Sequence, residues 1–285
     1  MTSSHGVKLT WLGAAHYQID YQNLKTVIDP LYTRLPGDKP HLELTRDHLD
    51  RIDYLLLTHG HLDHSWDAPY LVVKHDPEVY APGECLDDVR REARRSGSDA
   101  DMQSCHSLDE IAGTSFGIAD IEVTPHRIGT EEIDFWFVRS MFLRPWLHWK
   151  PAAIPTGVRW LTHHVFGSCF AFHFRFPHRG RTMLYFGNLT DQVDEMGGIE
   201  RVDVLAIPYC PANRKWLSQS QYLIERFRPG VTMVHHFDNF LSPFTLSKYM
   251  NLESYREALC GRCPAAKLYF SKFQREVDLE EIIGD

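Results

Sequence analysis

The sequence predicts an α/β protein, and two features carry that reading. First, the apolar run 52–57 has the length of a short buried strand and ends at Thr58. His59, His61, Asp63 and His64 follow immediately, and open α/β sheets place their sites at the carboxyl ends of strands. Second, strand-length runs are interspersed with amphipathic segments of helical period, notably 84–95 and 216–227.

Taken in order, residues 7–30 read as a meander. Residues 7–12 alternate until Gly13, 16–21 form a second strand, and 26–30 form a third that stops at Pro30. Residues 31–50 are polar and contain proline, so a loop is expected with one short helix near Arg46. A helix is expected over 65–75, capped by Ser65 or Asp63. A short strand follows at 78–81 and an amphipathic helix at 84–95. Residues 120–124 alternate as a strand ending at Pro125-His126. Strands are expected after Ser168 through Phe176, at 182–186, 202–207, 231–236 and finally 267–270, with a helix at 216–227. The acidic tail from Glu276 is expected to form a short helix. Between Gly129 and Arg159, within an expected insertion at about 129–160, six large aromatic residues crowd a stretch with three prolines. That stretch fits poorly as a core strand. It reads as an insertion that covers the site or makes a subunit contact, or as a satellite cluster under a long loop. No linker or repeat stands out, so residues 1–285 are expected to form a single domain.

Composition narrows the function. A chain of 285 residues, 43% hydrophobic and 24% charged, is ordinary for a globular protein. No apolar run approaches the roughly 18 residues of a membrane span, and the amino terminus lacks the pattern of a signal peptide. A net charge of −8 disfavours nucleic acid as a partner. The basic cluster Arg90-Arg91-Glu92-Ala93-Arg94-Arg95 reads as a solvated helix face. Six scattered cysteines, with one CxxC spacing at Cys260 and Cys263, suggest free thiols in a reducing cytoplasm.

The chemistry lies in His59-x-His61-x-Asp63-His64. His59 and His61 are two apart, so on extended backbone they point the same way and can grip one metal. Asp63 and His64 are adjacent and need a turn or helix start to aim both at a second point, and Gly60 permits that turn. Imidazole with carboxylate suits zinc, iron or manganese better than calcium or magnesium. With the preceding strand and Thr58, the motif resembles the HxHxDH signature of the metallo-β-lactamase-fold superfamily. The opening strands and Ile28-Asp29-Pro30 are similar to the branch of ascorbate-phosphate lactonases and N-acyl-phosphatidylethanolamine phospholipase D. The resemblance implies a four-layer αββα sandwich with a metal site at one edge, usually dinuclear and usually hydrolytic. It also implies that Asp29 supports the site from behind the ligands, although Asp-Pro is in its own right a good turn starter.

The same resemblance implies the remaining ligands. A third histidine is expected near Gly167-Ser168, with His164 matching best and His163 and His126 as alternatives. The segment 182–190 looks like a strand ending in Gly-Asp-Thr, but the bridging aspartate is here Asn188, a neutral amide with one oxygen. Either the second metal is weak, or solvent bridges alone, or Asp191 substitutes. His236 is expected as the last ligand, with His235 pointing away. Tyr209, after the strand at 202–207, is expected either to polarise a substrate oxygen or to pack in its loop, and His148 is a candidate for touching substrate.

The leading expectation is therefore a metal-dependent hydrolase with two zinc ions per chain, manganese or iron being alternatives. Asp63 would act on the attacking water, and the substrate would be a small molecule, apolar or acyl-bearing if the aromatic insertion contributes. A homo-oligomer is compatible with that insertion. A mononuclear iron oxygenase resembling the persulfide dioxygenases, or a non-catalytic binding protein on the same fold, are the alternatives. Fold and metal site alone do not name the substrate.

Overall fold

The computed structural model describes residues 6–34, 37–95, 104–130, 167–209, 213–240 and 251–284. His148, His163, His164 and nearly all of the expected insertion lie outside them. Two seven-stranded sheets pack face to face. The first begins with an antiparallel meander of β1 (Lys8–Trp11), β2 (Tyr17–Tyr21) and β3 (Leu24–Ile28). It continues in parallel through β4 (Tyr54–Leu56), β5 (Glu78–Ala81) and β6 (Cys105–Ser107). The second sheet repeats the plan. β7 (Phe116–Ile118), β8 (Ile121–Ile128), β9 (Cys169–Phe176) and β10 (Arg181–Phe186) are antiparallel. β11 (Val204–Pro208), β12 (Val231–His235) and β13 (Leu268–Phe270) then run parallel to β10.

Strand alternation explains the layers. Phe170, Phe172, Phe174 and Phe176 of β9 point into the space between the sheets, where they meet Leu9, Tyr17 and Ile19 of the first sheet. Each fully buried phenylalanine contributes about 1.5–3 kcal/mol. Cys169 and Ala171, with the opposite parity, face outward under α5 (Trp216–Phe227) and α6 (Leu252–Arg262). On the other side, α2 (Ala68–His75) and α3 (Gly83–Arg95) cover the first sheet. In α3 the apolar stripe Cys85, Leu86, Val89 and Ala93 is buried, and the arginines of the basic cluster lie toward solvent in pairs with Asp87, Asp88 and Glu92. The order of layers is αββα.

Several boundaries differ from expectation. The helix after the motif starts earlier and is broken. α1 (Leu62–Ser65) is capped by His61, and α2 is preceded by Asp67, so neither Ser65 nor Asp63 is the cap. Asp67 accepts from both Thr33 N and Thr33 Oγ1, which pulls the chain out of the first helix. β8 runs through Pro125 and His126 instead of ending there. Gly113 N donates to Pro125 O, which turns the polar edge of Pro125 toward the side where β7 has already ended. The missing proline N–H therefore costs no ladder bond. The acidic tail opens as a strand, β14 (Glu276–Asp278), paired with β1, before α7 (Leu279–Gly284). β6, β7, α4 (Leu108–Ile111) and α6 are elements with no counterpart in the sequence reading.

Candidate metal centre

The carboxyl ends of β3, β4, β10 and β12 meet at one edge of the sandwich, and Asp29 is the hub. It is fully buried and left-handed, with φ 48°, a conformation that aspartate tolerates better than most residues. Oδ1 accepts Thr58 N at 2.7 Å, and Oδ2 accepts Thr58 Oγ1 at 2.6 Å and His64 Nδ1 at 2.9 Å. Thr58 spends its single hydroxyl proton on Asp29. Its 2.9 Å contact with His59 Nδ1 therefore has the imidazole as donor. Both histidines thus have Nδ1 tied back into the protein and Nε2 turned outward. That tautomer and orientation is what a protein uses to present imidazole to a metal. The expected supporting position of Asp29 is realised in this geometry. Thr58, to which the sequence reading gave no role, is the link between the two imidazoles. Its signal is that it is the first polar residue after β4.

The motif histidines and His236 converge. Ring centroids lie 4.5 Å apart for His59 and His61, 3.9 Å for His59 and His64, and 5.7 Å for His64 and His236. Asp63 Oδ2 sits 3.5 Å from His64 Nε2 and 3.2 Å from His236 Nε2. One ligand atom from each of these three residues falls within 4.8 Å of the others. Burial opposes the charged forms of His59, Asp63 and His64. It would lower His64, yet the carboxylates of Asp63 and Asp29 outweigh it and raise the imidazole to about 10. Burial would raise Asp63, yet His64 and His236 hold it well below the usual carboxylate range. His59, with burial and neighbouring imidazoles acting together, is pushed well down and is neutral. The carboxylates that raise His64 would equally favour a divalent cation. The donor set is imidazole and carboxylate, so the residues fit zinc, manganese or iron.

Asn188 follows β10 and is buried. Its Nδ2 donates to Gly129 O at 3.1 Å, and Oδ1 is buried with no hydrogen-bond partner among the described residues. A neutral oxygen of this kind suits a weak ligand. Gly187 makes the approach of β10 possible, since a Cβ there would overlap Thr58 Oγ1 and lie 2.8 Å from Asp29 Oδ2. Asp191 does not supply the missing carboxylate, for it is exposed and accepts from Gln219 at 3.4 Å. His126 lies on the outer face of the second sheet, 6.3 Å from the ring of His173, and does not join the histidine cluster. His235 points away as expected, stacked on Tyr185 with Nε2 3.1 Å from Phe186 O. The ring of Tyr209 packs between Trp216 and Tyr255, at 5.1 and 4.1 Å. These ring contacts are packing contacts.

Three comparisons agree with this geometry. The model of the metallo-beta-lactamase superfamily matches residues 12–136, which include Asp29 and the entire histidine motif. A metal-dependent hydrolase of the UPF0173 group from Staphylococcus aureus is 22% identical over 241 residues, covering 82% of this chain and 87% of its own. The metallo hydrolase Igni18 from Ignicoccus hospitalis superposes with a TM-score of 0.62 at 15% identity, over 95% of this chain and 97% of that one. CmlA, a diiron beta-hydroxylase from Streptomyces venezuelae, superposes with a TM-score of 0.59 at 14% identity, over 97% of this chain and 55% of that one. The αββα layers and the motif at the strand ends accord with these matches: the chain carries a match to the metallo-beta-lactamase superfamily over residues 12–136 and is similar to metal-dependent hydrolases along most of its length, which supports an enzyme.

Proposed function

We propose that the chain hydrolyses an ester, lactone, amide or phosphodiester bond of a small-molecule substrate at a dinuclear zinc centre. The observation that carries this reading is the convergence of Asp63 Oδ2 with the Nε2 atoms of His64 and His236, beside His59 and His61. His59, His61 and His164 would hold one ion. Asp63, His64 and His236 would hold the other, with Asn188 between or beside them as a neutral oxygen donor. Manganese or iron meets the same donor set.

A divalent cation held by these residues would supply an acidified water and charge to offset that developing on the substrate oxygen. The chain's own residues do the rest. Asp63 remains ionised beside two imidazoles, so it can orient the attacking water. Asp29 and Thr58 fix the imidazoles of His64 and His59 so that neither has to reorganise when the ligand set assembles. Ligands drawn from residue 59 to residue 236 require both sheets, which supports a single domain. A reducing cytoplasm rests on the scattered spacing of the cysteines alone. Among the described residues no helix is long and apolar enough to cross a membrane. The apolar or acyl preference of the substrate, and a homo-oligomer, rest on the aromatic composition of 129–160 alone.

The test is turnover of an ester, lactone and phosphodiester panel by the wild type, H61A and D63A. Both substitutions should abolish whatever activity the wild type shows, and full activity in either would refute the proposal. Asn188 favours one second reading, a single-iron oxygenase, because a neutral amide weakens the second ion's site. Oxygen uptake with thiol or persulfide substrates, in place of hydrolysis, would select it.

A further inference from the structure

We propose that Arg34 is a positioning residue for the metal centre, acting through Asp238 to hold His236 on its ligand heading. The inference rests on His236 being a ligand, as proposed above. His236 lies just beyond β12, so no ladder bond sets its direction, and its backbone is left-handed with φ 62°. Such a conformation persists where the surroundings over-determine it. The anchors come from the next three residues. The ring of Phe237 lies 4.5 Å from that of Trp11. Asn239 exchanges two backbone hydrogen bonds with Lys39, at 2.7 and 2.9 Å. Between them is Asp238, whose side chain is completely buried.

Asp238 is held from two directions. Ala14 N donates to Oδ1 at 2.7 Å, and Arg34 Nη1 donates to Oδ2 at 2.8 Å. The second arm of the same guanidinium, Nη2, donates to Leu12 O at 2.6 Å. One planar fork therefore ties three segments together: the β1–β2 turn, the loop after β3, and the loop carrying His236. Gly13 is left-handed at φ 97°, and a Cβ there would overlap Arg34 Nη2 and lie 2.6 Å from Asp238 Oδ2, so the turn is shaped to let the pair close. His16, the other basic side chain at this turn, is held neutral by burial and by the charge of Arg34. Arg34 is thus the cation that balances Asp238. Removing it leaves a buried carboxylate uncompensated, and the loop must shift to hydrate it. His236, two residues away and without a strand to hold it, moves with the loop.

The experiment uses full-length chain stripped of metal and reloaded with cobalt(II). It reads the visible ligand-field spectrum and the affinity of each equivalent in competition with a chelator. R34M should weaken one of two equivalents by roughly 10–100-fold and change its spectrum, the range found when outer partners of metal ligands are removed. R34K keeps the charge but not the fork, and should fall between R34M and wild type; it also carries the test if R34M does not fold. R181M, which breaks the Arg181 pair with Glu280 at the opposite ends of the strands, should leave spectrum and affinities unchanged even where it lowers thermal stability. Wild-type metal uptake with R34M and R34K indistinguishable from it in spectrum and affinity would overturn the inference alone. No uptake by the wild type would overturn the metal-centre reading and the inference together.

Discussion

Asp29→Asn is the sharpest perturbation of the site's supporting network. The substitution keeps size and shape, and asparagine also tolerates the left-handed backbone at φ 48°. What changes is hydrogen bonding. Three donors, Thr58 N, Thr58 Oγ1 and His64 Nδ1, converge on two carboxylate oxygens. An amide offers one oxygen and turns an NH2 toward at least one of those donors. A hydrogen bond to a charged group contributes about 1.5–3 kcal/mol, and breaking a buried ionic network costs about 3–5 kcal/mol. The metal-free protein should therefore lose roughly 3–5 kcal/mol in urea unfolding. Metal affinity should fall about 10–100-fold, because both Nδ1 anchors loosen. Unfolding followed by circular dichroism in a chelator, together with zinc competition, measures both. A variant with wild-type urea midpoint and metal affinity within about twofold would refute the role of Asp29 as hub.

Three further outcomes are expected. Asn188→Asp should tighten the second metal equivalent by adding a charge between the ions, while the metal-free form loses about 1–3 kcal/mol as a carboxylate meets Gly129 O; calorimetric titration reads the first effect and urea unfolding the second. Gly187→Ala should destabilise by about 1–3 kcal/mol or more through overlap with Thr58 and Asp29, seen as a lowered Tm in the presence of chelator. His173 is lowered to about 4, first by burial and then by the charges of His126 and Arg175. Because its folded value lies below its unfolded one, the stability tied to its neutral form is present above about pH 6.5 and lost as pH falls toward about 4. At 1.36 kcal/mol per unit the upper bound is about 3 kcal/mol, and partial exposure reduces it to ~1–2 kcal/mol. His173→Phe should flatten the acid limb of the stability profile by that amount, and a profile parallel to wild type would contradict the assignment.

Much of the fold was legible because its signals are local. The meander at 7–30, the motif strand, β5, α3 and α5 each have a periodicity or a stop signal within their own residues. What escaped depends on distant partners. β14 is a strand because β1 offers it an edge, and Pro125 is tolerated because β7 is short on that side. α1 and α2 separate because Thr33 reaches Asp67 from another loop. The site divides in the same way. His59, His61, Asp63 and His64 stand within one short stretch, and His236 is brought to them by the fold. The roles of Gly187, Arg34 and Asp238 come from contacts far apart in sequence, and no local pattern marks them.

Metal content per chain, by elemental analysis of protein purified without added metal and again after reconstitution, bears most directly on the metal centre. About two divalent ions per chain, lost together with activity on chelation, is the expected result for paired sites of this kind. A folded chain that carries no metal and takes up none on reconstitution would contradict the assignment of His59, His61, Asp63, His64 and His236 as a metal-binding set.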